Sequence, residues 1–196
     1  MIRALIVDDH PLVREGLARL LTGQGIAVVG LAADGEEGIR LACQERPHII
    51  LWDLAMPGGG VAGLARLREV VPDSRILAVT ALDDPWLGAE AARVGADGFL
   101  SKAASPGELQ AAILDCLQGQ GPLPPPPPLT PREEEVFRLL GTGSPNPEIA
   151  RILGISIKTV ESYLEGLKGK LGCRTTAELR ARALRWGNSA VPRSPR

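Results

Sequence analysis

From Arg3 to Gln118 the chain alternates short runs of β-formers with stretches of helical periodicity, and that alternation leaves few folds open to it. RALIVDD, IAVVGLAA, HIILWD, RILAVTA and DGFLSK read as strands. VREGLARLL, GEEGIRLACQ, a segment through LARLREVV, GAEAARVG and ELQAAILDCLQ read as the helices that follow them. Five strands joined by five helices imply crossover connections, hence an α/β unit with a parallel sheet covered by helices on both faces. Aromatics make up only 3% of the chain, so its cores must be built from Ala, Val, Ile and Leu.

The pattern stops at GQGPLPPPPPLTP, Gly119 to Pro131. Five consecutive prolines, Pro124 to Pro128, exclude helix and central strand and predict an extended, semi-rigid polyproline II spacer. The run could also serve as a ligand for a proline-binding module, but its place between two patterned regions favours the spacer. Beyond it the periodicity is helical throughout: PREEEVFRLLG, PEIARILG, KTVESYLEGLKGKLG and TAELRARALRWG are four short helices, each closed by glycine just past its end. The expected division is a first domain over residues 1–120, a proline-rich linker over 121–129, a small all-α domain over 130–188 and a disordered tail over 189–196.

Charge separates the same parts. Residues 1–128 hold 10 Lys+Arg against 16 Asp+Glu, a balance of −6, whereas residues 129–196 hold 12 against 7, a balance of +5. A basic helical unit behind an acidic one points to a polyanion partner, and its size and composition fit a nucleic-acid binder. No apolar run approaches a membrane span and the acidic N-terminus is no signal peptide, so the expected location is the cytoplasm. Cys43, Cys116 and Cys173 are odd in number and lack a CxxC spacing, which favours free thiols over a disulfide or a zinc site.

The stretch ILWDLAMPGG concentrates the chemistry. Pro57 and Gly58 end the strand, leaving Asp53 at its C-terminal end, where open parallel sheets bind ligands; a carboxylate there is a helix cap or part of a site. Asp8 and Asp9 end the first strand in the same way, and parallel neighbours would gather the three carboxylates at one edge. Their mutual repulsion calls for a cation, and an all-oxygen trio suits Mg²⁺. Thr80 and Lys102 end two further strands, adding a hydroxyl and an ammonium of the kind that holds a phosphoryl group. Singly, Asp8 or Asp9 reads as a cap for the helix near Pro11, Thr80 as an ordinary strand residue and Lys102 as a solvated charge; five positions on strand ends read together as a site.

Together LIVDDHPLVREGL, DLAMPG, VTALDD and ADGFLSKAASPGEL resemble the receiver domain of two-component response regulators, covering residues 1 to about 120. The resemblance implies a flavodoxin-like, doubly wound five-stranded sheet. It implies Asp53 as phosphoacceptor, Mg²⁺ held by Asp8, Asp9, Asp53 and the backbone carbonyl of Ala55, and Thr80 and Lys102 on the phosphoryl oxygens. Phe99 would be the switch aromatic and a sensor histidine kinase the phosphodonor. One departure is MPGGGVAGLARL, where the family usually has M-P-G-x-x-G-L: Gly58, Gly59 and Gly60 are consecutive and the loop is about one residue short, which predicts mobility.

LTPREEEVFRLLGTGSPNPEIARILGISIKTVESYLEGLKGKLGCRTTAEL resembles the LuxR-type helix-turn-helix domain that follows receivers in the NarL/FixJ family. Thr130 is the expected N-cap of its first helix, Glu148 to Leu153 the scaffold helix, Gly154-Ile155-Ser156 the turn and Lys158 to Leu171 the recognition helix. Lys158, Thr159, Glu161, Ser162 and Glu165 face the DNA groove in this reading, with Lys168, Lys170 and Arg174 on its backbone, while Val160, Leu164, Leu167 and Leu171 belong to the core. The implied protein is a phosphorylated DNA-binding transcription regulator, a homodimer on promoter half-sites when phosphorylated, and no enzyme beyond slow self-dephosphorylation. The acidic, glycine-containing recognition helix keeps a protein-sequestering regulator open as an alternative. An aspartate-based phosphatase is a weaker one, because position 55 is alanine rather than the acid/base carboxylate such enzymes carry.

Overall fold

The computed structural model describes residues 1–81, 85–123 and 129–188 and divides the chain into two compact units, residues 1–125 and 126–196. The expected spacer Pro124 to Pro128 and the expected tail 189–196 lie outside the described residues.

In the first unit, strands β1 (Arg3–Val7), β2 (Ala27–Ala32), β3 (Ile49–Asp53), β4 (Arg75–Thr80) and β5 (Gly98–Ser101) alternate with helices α1 (Pro11–Gly23), α2 (Gly35–Glu45), α3 (Gly60–Val70), α4 (Pro85–Val94) and α5 (Pro106–Leu117). The strands form one parallel sheet in the order β2-β1-β3-β4-β5. Side chains alternate across it. Leu5, Val7, Ile50, Trp52, Ile76 and Ala78 pack with α2, α3 and α4 on one face, and Ala4, Ile6, Ile49, Leu51, Leu77 and Val79 with α1 and α5 on the other. Strand order reverses between β1 and β3, so the crevice of a doubly wound sheet opens above their C-terminal ends.

Among the described residues Trp52 is the bulkiest fully buried side chain. Cβ atoms added at Gly38 of α2 and Gly63 of α3 would lie 3.0 and 2.9 Å from its ring, so both helices carry glycine where the indole passes. Its Nε1–H donates to the Gly60 carbonyl at 3.3 Å, tying the loop after β3 to the strand beneath. Within that loop Gly58 and Gly60 adopt φ of +65° and +64°, a left-handed backbone favourable to glycine, and a Cβ on Gly59 would meet Met56 at 2.5 Å. Gly35 at the start of α2 donates its N–H to the Pro57 carbonyl at 3.0 Å.

The second unit packs α6 (Pro131–Gly141), α7 (Asn146–Leu153), α8 (Ile157–Lys170) and α9 (Thr176–Asn188) around Val136, Phe137, Leu140, Ile149, Val160, Leu164, Leu167, Leu171 and Leu179. Thr130 caps α6 in a reciprocal box, accepting from the Glu133 N–H while Glu133 accepts from the Thr130 N–H. Gly154, in the left-handed conformation, ends α7, and Ser156 caps α8 by accepting from the Thr159 N–H. Gly141 lies within α6, whose C-cap is Thr142, and Gly187 lies inside α9, which runs on to Asn188, so neither is the residue past the helix end that its position predicts. Among the described residues all three cysteines are free, and burial, with Asp97 and Asp115 nearby, pushes the Cys116 thiol up to about 12.

Candidate functional site

Parallel pairing of neighbouring strands brings four of the strand-end residues to one edge. Asp8 follows β1, Asp53 and Thr80 are the last residues of β3 and β4, and Lys102 follows β5, its N–H donating to the Thr80 carbonyl at 2.8 Å. Asp8, Asp53 and Thr80 are buried. The Lys102 ammonium sits between two of the carboxylates, with Nζ 2.8 Å from Asp8 Oδ2 and 2.8 Å from Asp53 Oδ2. Burial works against its charge, but the hydrogen bonds to Asp53 and Asp8 outweigh it and hold its pKa above the ordinary lysine value. The reading of Lys102 as a solvated charge is thereby excluded.

The cap readings fail as well. The N-cap of α1 is His10, with no side-chain hydrogen bond to the helix; Asp8 Oδ1 instead accepts from the His10 N–H at 2.9 Å. Asp53 Oδ1 accepts from the Ala55 N–H at 2.9 Å, turning the chain at the strand end, while the N-cap of α3 is Gly59. Asp9 is half-buried beside the site, and oxygens of Asp8, Asp9 and Asp53 lie within 4.8 Å of one another and of a His10 ring nitrogen. Three carboxylates against one ammonium leave an excess of negative charge on hard oxygen donors, a set that suits a divalent cation of the Mg²⁺ or Ca²⁺ kind. Phe99 is half-buried in β5 and packs against the cluster that contains Trp52 and Ala78.

Two neighbours escaped sequence reasoning. His10 places Nδ1 2.6 Å from Asp9 Oδ1, and the Arg14 guanidinium of α1 donates to the Asp8 carbonyl. His10 was accessible as the residue directly after the aspartate pair. Arg14 carries no such signal, since one turn of helix brings it back over the strand end.

In the second unit, Lys158, Thr159, Glu161, Ser162 and Glu165 all lie on the exposed side of α8, and Val160, Leu164 and Leu167 on its buried side. Several of the polar groups already have partners. The Thr159 hydroxyl is 2.8 Å from Ser156 Oγ, and the Ser162 hydroxyl donates to the Lys158 carbonyl at 3.1 Å. Lys168 pairs with Glu165 at 2.7 Å, and Lys170 with Glu133 of α6, also at 2.7 Å. The Lys170 ammonium, together with the Thr130 N–H, holds the Glu133 carboxyl below the usual glutamate value. Arg174 is exposed and its N–H donates to Glu178 at 2.7 Å.

Residues 4–114 match the response regulator receiver domain, and residues 127–183 match the bacterial regulatory proteins of the luxR family. The transcriptional activator protein ExaE of Pseudomonas putida is 37% identical over 198 residues, covering 89% of this chain and 92% of that protein. Response regulator UvrY of Escherichia coli is 32% identical over 208 residues, covering 95% of each. Among solved structures, RcsB from Salmonella enterica serovar Typhimurium, bound to promoter rprA in the presence of phosphomimetic BeF3⁻, aligns with a TM-score of 0.69 at 27% identity, over 93% of this chain and 98% of that one. Sheet order, strand-end carboxylates and C-terminal helices thus converge with these likenesses: the chain belongs to the two-component response regulators that join a receiver domain to a LuxR-type DNA-binding domain and regulate transcription.

Proposed function

We propose that Asp53 accepts a phosphoryl group from a partner histidine kinase and that phosphorylation promotes binding of the chain, as a dimer, to promoter DNA. The observation that carries this reading is the setting of Asp53, a buried carboxylate at a strand end whose Oδ2 contacts Lys102 Nζ at 2.8 Å with Asp8 and Asp9 alongside. An Asp53 oxygen attacks phosphorus, the bond from phosphorus to the donor's imidazole nitrogen breaks, and its electron pair stays on the imidazole; the product is an acyl phosphate. Lys102 and Thr80 stand on the neighbouring strand ends, from which an ammonium and a hydroxyl can meet phosphoryl oxygens. Asp8, Asp9, Asp53 and the Ala55 carbonyl would hold Mg²⁺, whose charge offsets that of the incoming phosphoryl group. Phe99 acts as the switch aromatic.

In this reading the protein is a phosphoacceptor rather than a turnover enzyme. Residues 1–120 form the receiver and 130–188 the DNA-binding domain. Among the described residues no helix is long and apolar enough to cross a membrane. Intact-mass spectrometry with acetyl phosphate and Mg²⁺ tests the acceptor: one phosphoryl group is expected on the wild type and none on Asp53→Asn. Undiminished labelling of the variant moves the acceptor elsewhere.

The pairing of Lys168 and Lys170 within the domain favours a second reading, a regulator that sequesters protein instead of gripping DNA strongly. Lys158, Thr159, Glu161, Ser162 and Glu165 remain the groove-facing set. Fluorescence anisotropy at several salt concentrations separates the readings, because affinity from phosphate contacts falls with a slope of about −0.9 per contact. If no sequence outcompetes bulk DNA for the phosphorylated protein, the sequestering reading replaces the transcriptional one.

A further inference from the structure

The free edge of β5 is covered by the beginning of the linker. After α5, Gln120 donates its N–H to the Asp115 carbonyl at 2.8 Å and the chain turns back along the sheet. There the Phe99 N–H, on the outermost strand, donates to the Pro122 carbonyl at 2.7 Å. The seat is cut for glycine. A Cβ on Gly121 would stand 2.1 Å from the Asp97 carbonyl oxygen and 2.5 Å from Cys116 Sγ, and one on Gly98 would stand 2.4 Å from the same sulfur. Two glycines and a buried thiol therefore allow the linker's first residues to lie flush against β5.

We propose that Gly121 is a positioning residue of the phosphorylation switch: it seats the linker root on β5, so that Pro122 is bonded to the residue that bears the switch aromatic and moves with it. The proposal rests on the reading of Asp53 as phosphoacceptor and Phe99 as switch. β5 leads from Phe99 directly into Lys102, the residue after its end, whose ammonium contacts Asp53 and whose N–H donates to the Thr80 carbonyl. A rearrangement around Asp53 reaches β5 through these two contacts, and the Phe99–Pro122 bond delivers it to the chain leaving the domain.

The test uses the full-length chain, acetyl phosphate with Mg²⁺, and a fluorescent duplex selected in vitro with the phosphorylated wild type. Gly121→Ala places a methyl group against backbone and thiol and lifts the root from the edge. Its Asp53 labelling should match the wild type, while the ratio of phosphorylated to unphosphorylated DNA affinity falls to near one. Gly107→Ala, whose Cβ meets nothing within 4 Å, is the control and should keep the wild-type ratio. A Gly121→Ala protein that keeps the wild-type ratio, even with both affinities lowered, overturns the proposal, since a merely structural role lowers both alike. A second measurement needs no variant: residue-resolved deuterium exchange of the wild type should show protection at the Phe99 amide that changes on phosphorylation, and unchanged protection also overturns it. Undiminished labelling of Asp53→Asn is a different failure, which removes the underlying reading of the site and the proposal with it.

Discussion

Replacing Lys102 with methionine tests whether one ammonium is the counter-ion on which two buried carboxylates depend. Asp8 and Asp53 expose 2% and 0% of their side chains, and each has an oxygen 2.8 Å from Lys102 Nζ. Removing one partner of a fully buried pair costs about 3–5 kcal/mol. This site opens to water beside Asp9 and Ala55, so screening should reduce the cost to about 2 kcal/mol. Asp53→Asn works in the opposite direction. It removes one of the mutually repelling carboxylates and leaves Asp8 on Lys102, so in the absence of metal it should be neutral or stabilising. The assay is urea denaturation in EDTA followed by far-UV circular dichroism, fitted as one transition per domain. Repeating it with Mg²⁺ in hundredfold excess over its Kd should stabilise the wild-type receiver by about 2.7 kcal/mol. Lys102→Met should then recover toward the wild type, because a metal ion takes over as counter-ion, while Asp53→Asn gains least. A Lys102→Met protein as stable as the wild type in EDTA, or an Asp53→Asn protein less stable than it, refutes the charge argument.

Three smaller perturbations follow from other parts of the molecule. Trp52→Phe loses the indole bond to Gly60 and part of the packing between α2 and α3, and should lower receiver stability by about 1–2 kcal/mol in thermal melts while Asp53 still takes up phosphate. Gly169→Ala should raise the stability of the C-terminal unit by about 1 kcal/mol in urea, because its Cβ enters open space on α8; position 166 is a poorer test, since a Cβ there already lies 4.0 Å from Glu133. The lowered pKa of Glu133, set by Lys170 and then the Thr130 N–H, contributes stability above the ordinary glutamate value of 4.5 that is lost as pH falls through the lower, folded value. Thermal melts of the C-terminal unit on an acid titration should therefore show a loss below that pH which Glu133→Gln reduces.

The strands were legible because each announces itself locally, by a run of β-formers closed by a turn; crossover chirality only narrows the arrangements of five such units to a handful, and the doubly wound one was implied by the resemblance to receiver domains. Thr130 was legible for the same reason, as an N-cap is read from its near neighbours; that Glu133 completes the box was found only in the structure. The seat of Trp52 was not legible. Nothing local marks Gly38 and Gly63, and only the tertiary packing explains why neither carries a side chain: a Cβ on Gly38 would meet Val7 at 2.6 Å and the indole at 3.0 Å, and one on Gly63 the Gly58 carbonyl at 2.3 Å and the indole at 2.9 Å. The glycine run after Asp53 invited a reading of looseness, yet each of its members has a separate cause: left-handed backbone at Gly58 and Gly60, and crowding by Met56 at Gly59.

Charge partners across elements are the least local feature of all, and they bear most on function. Lys168 and Lys170 are two cations of the recognition helix by sequence; Lys168 pairs locally with Glu165 three residues back, whereas Lys170 fastens α8 to α6 through Glu133, a partner that only the fold supplies. To reach a phosphate, Lys170 would have to leave an acid that also closes the cap of α6, so using it on DNA costs stability inside the domain. Among the described residues Lys158 is the α8 lysine without an ion pair, and it shares the exposed face with Glu161. A single domain with so little uncommitted positive charge on its recognition helix should bind DNA feebly. On the proposed reading, affinity would come from joining two domains on neighbouring half-sites, where doubled contacts raise avidity without any new residue, and the receiver would govern promoter occupancy by controlling that pairing.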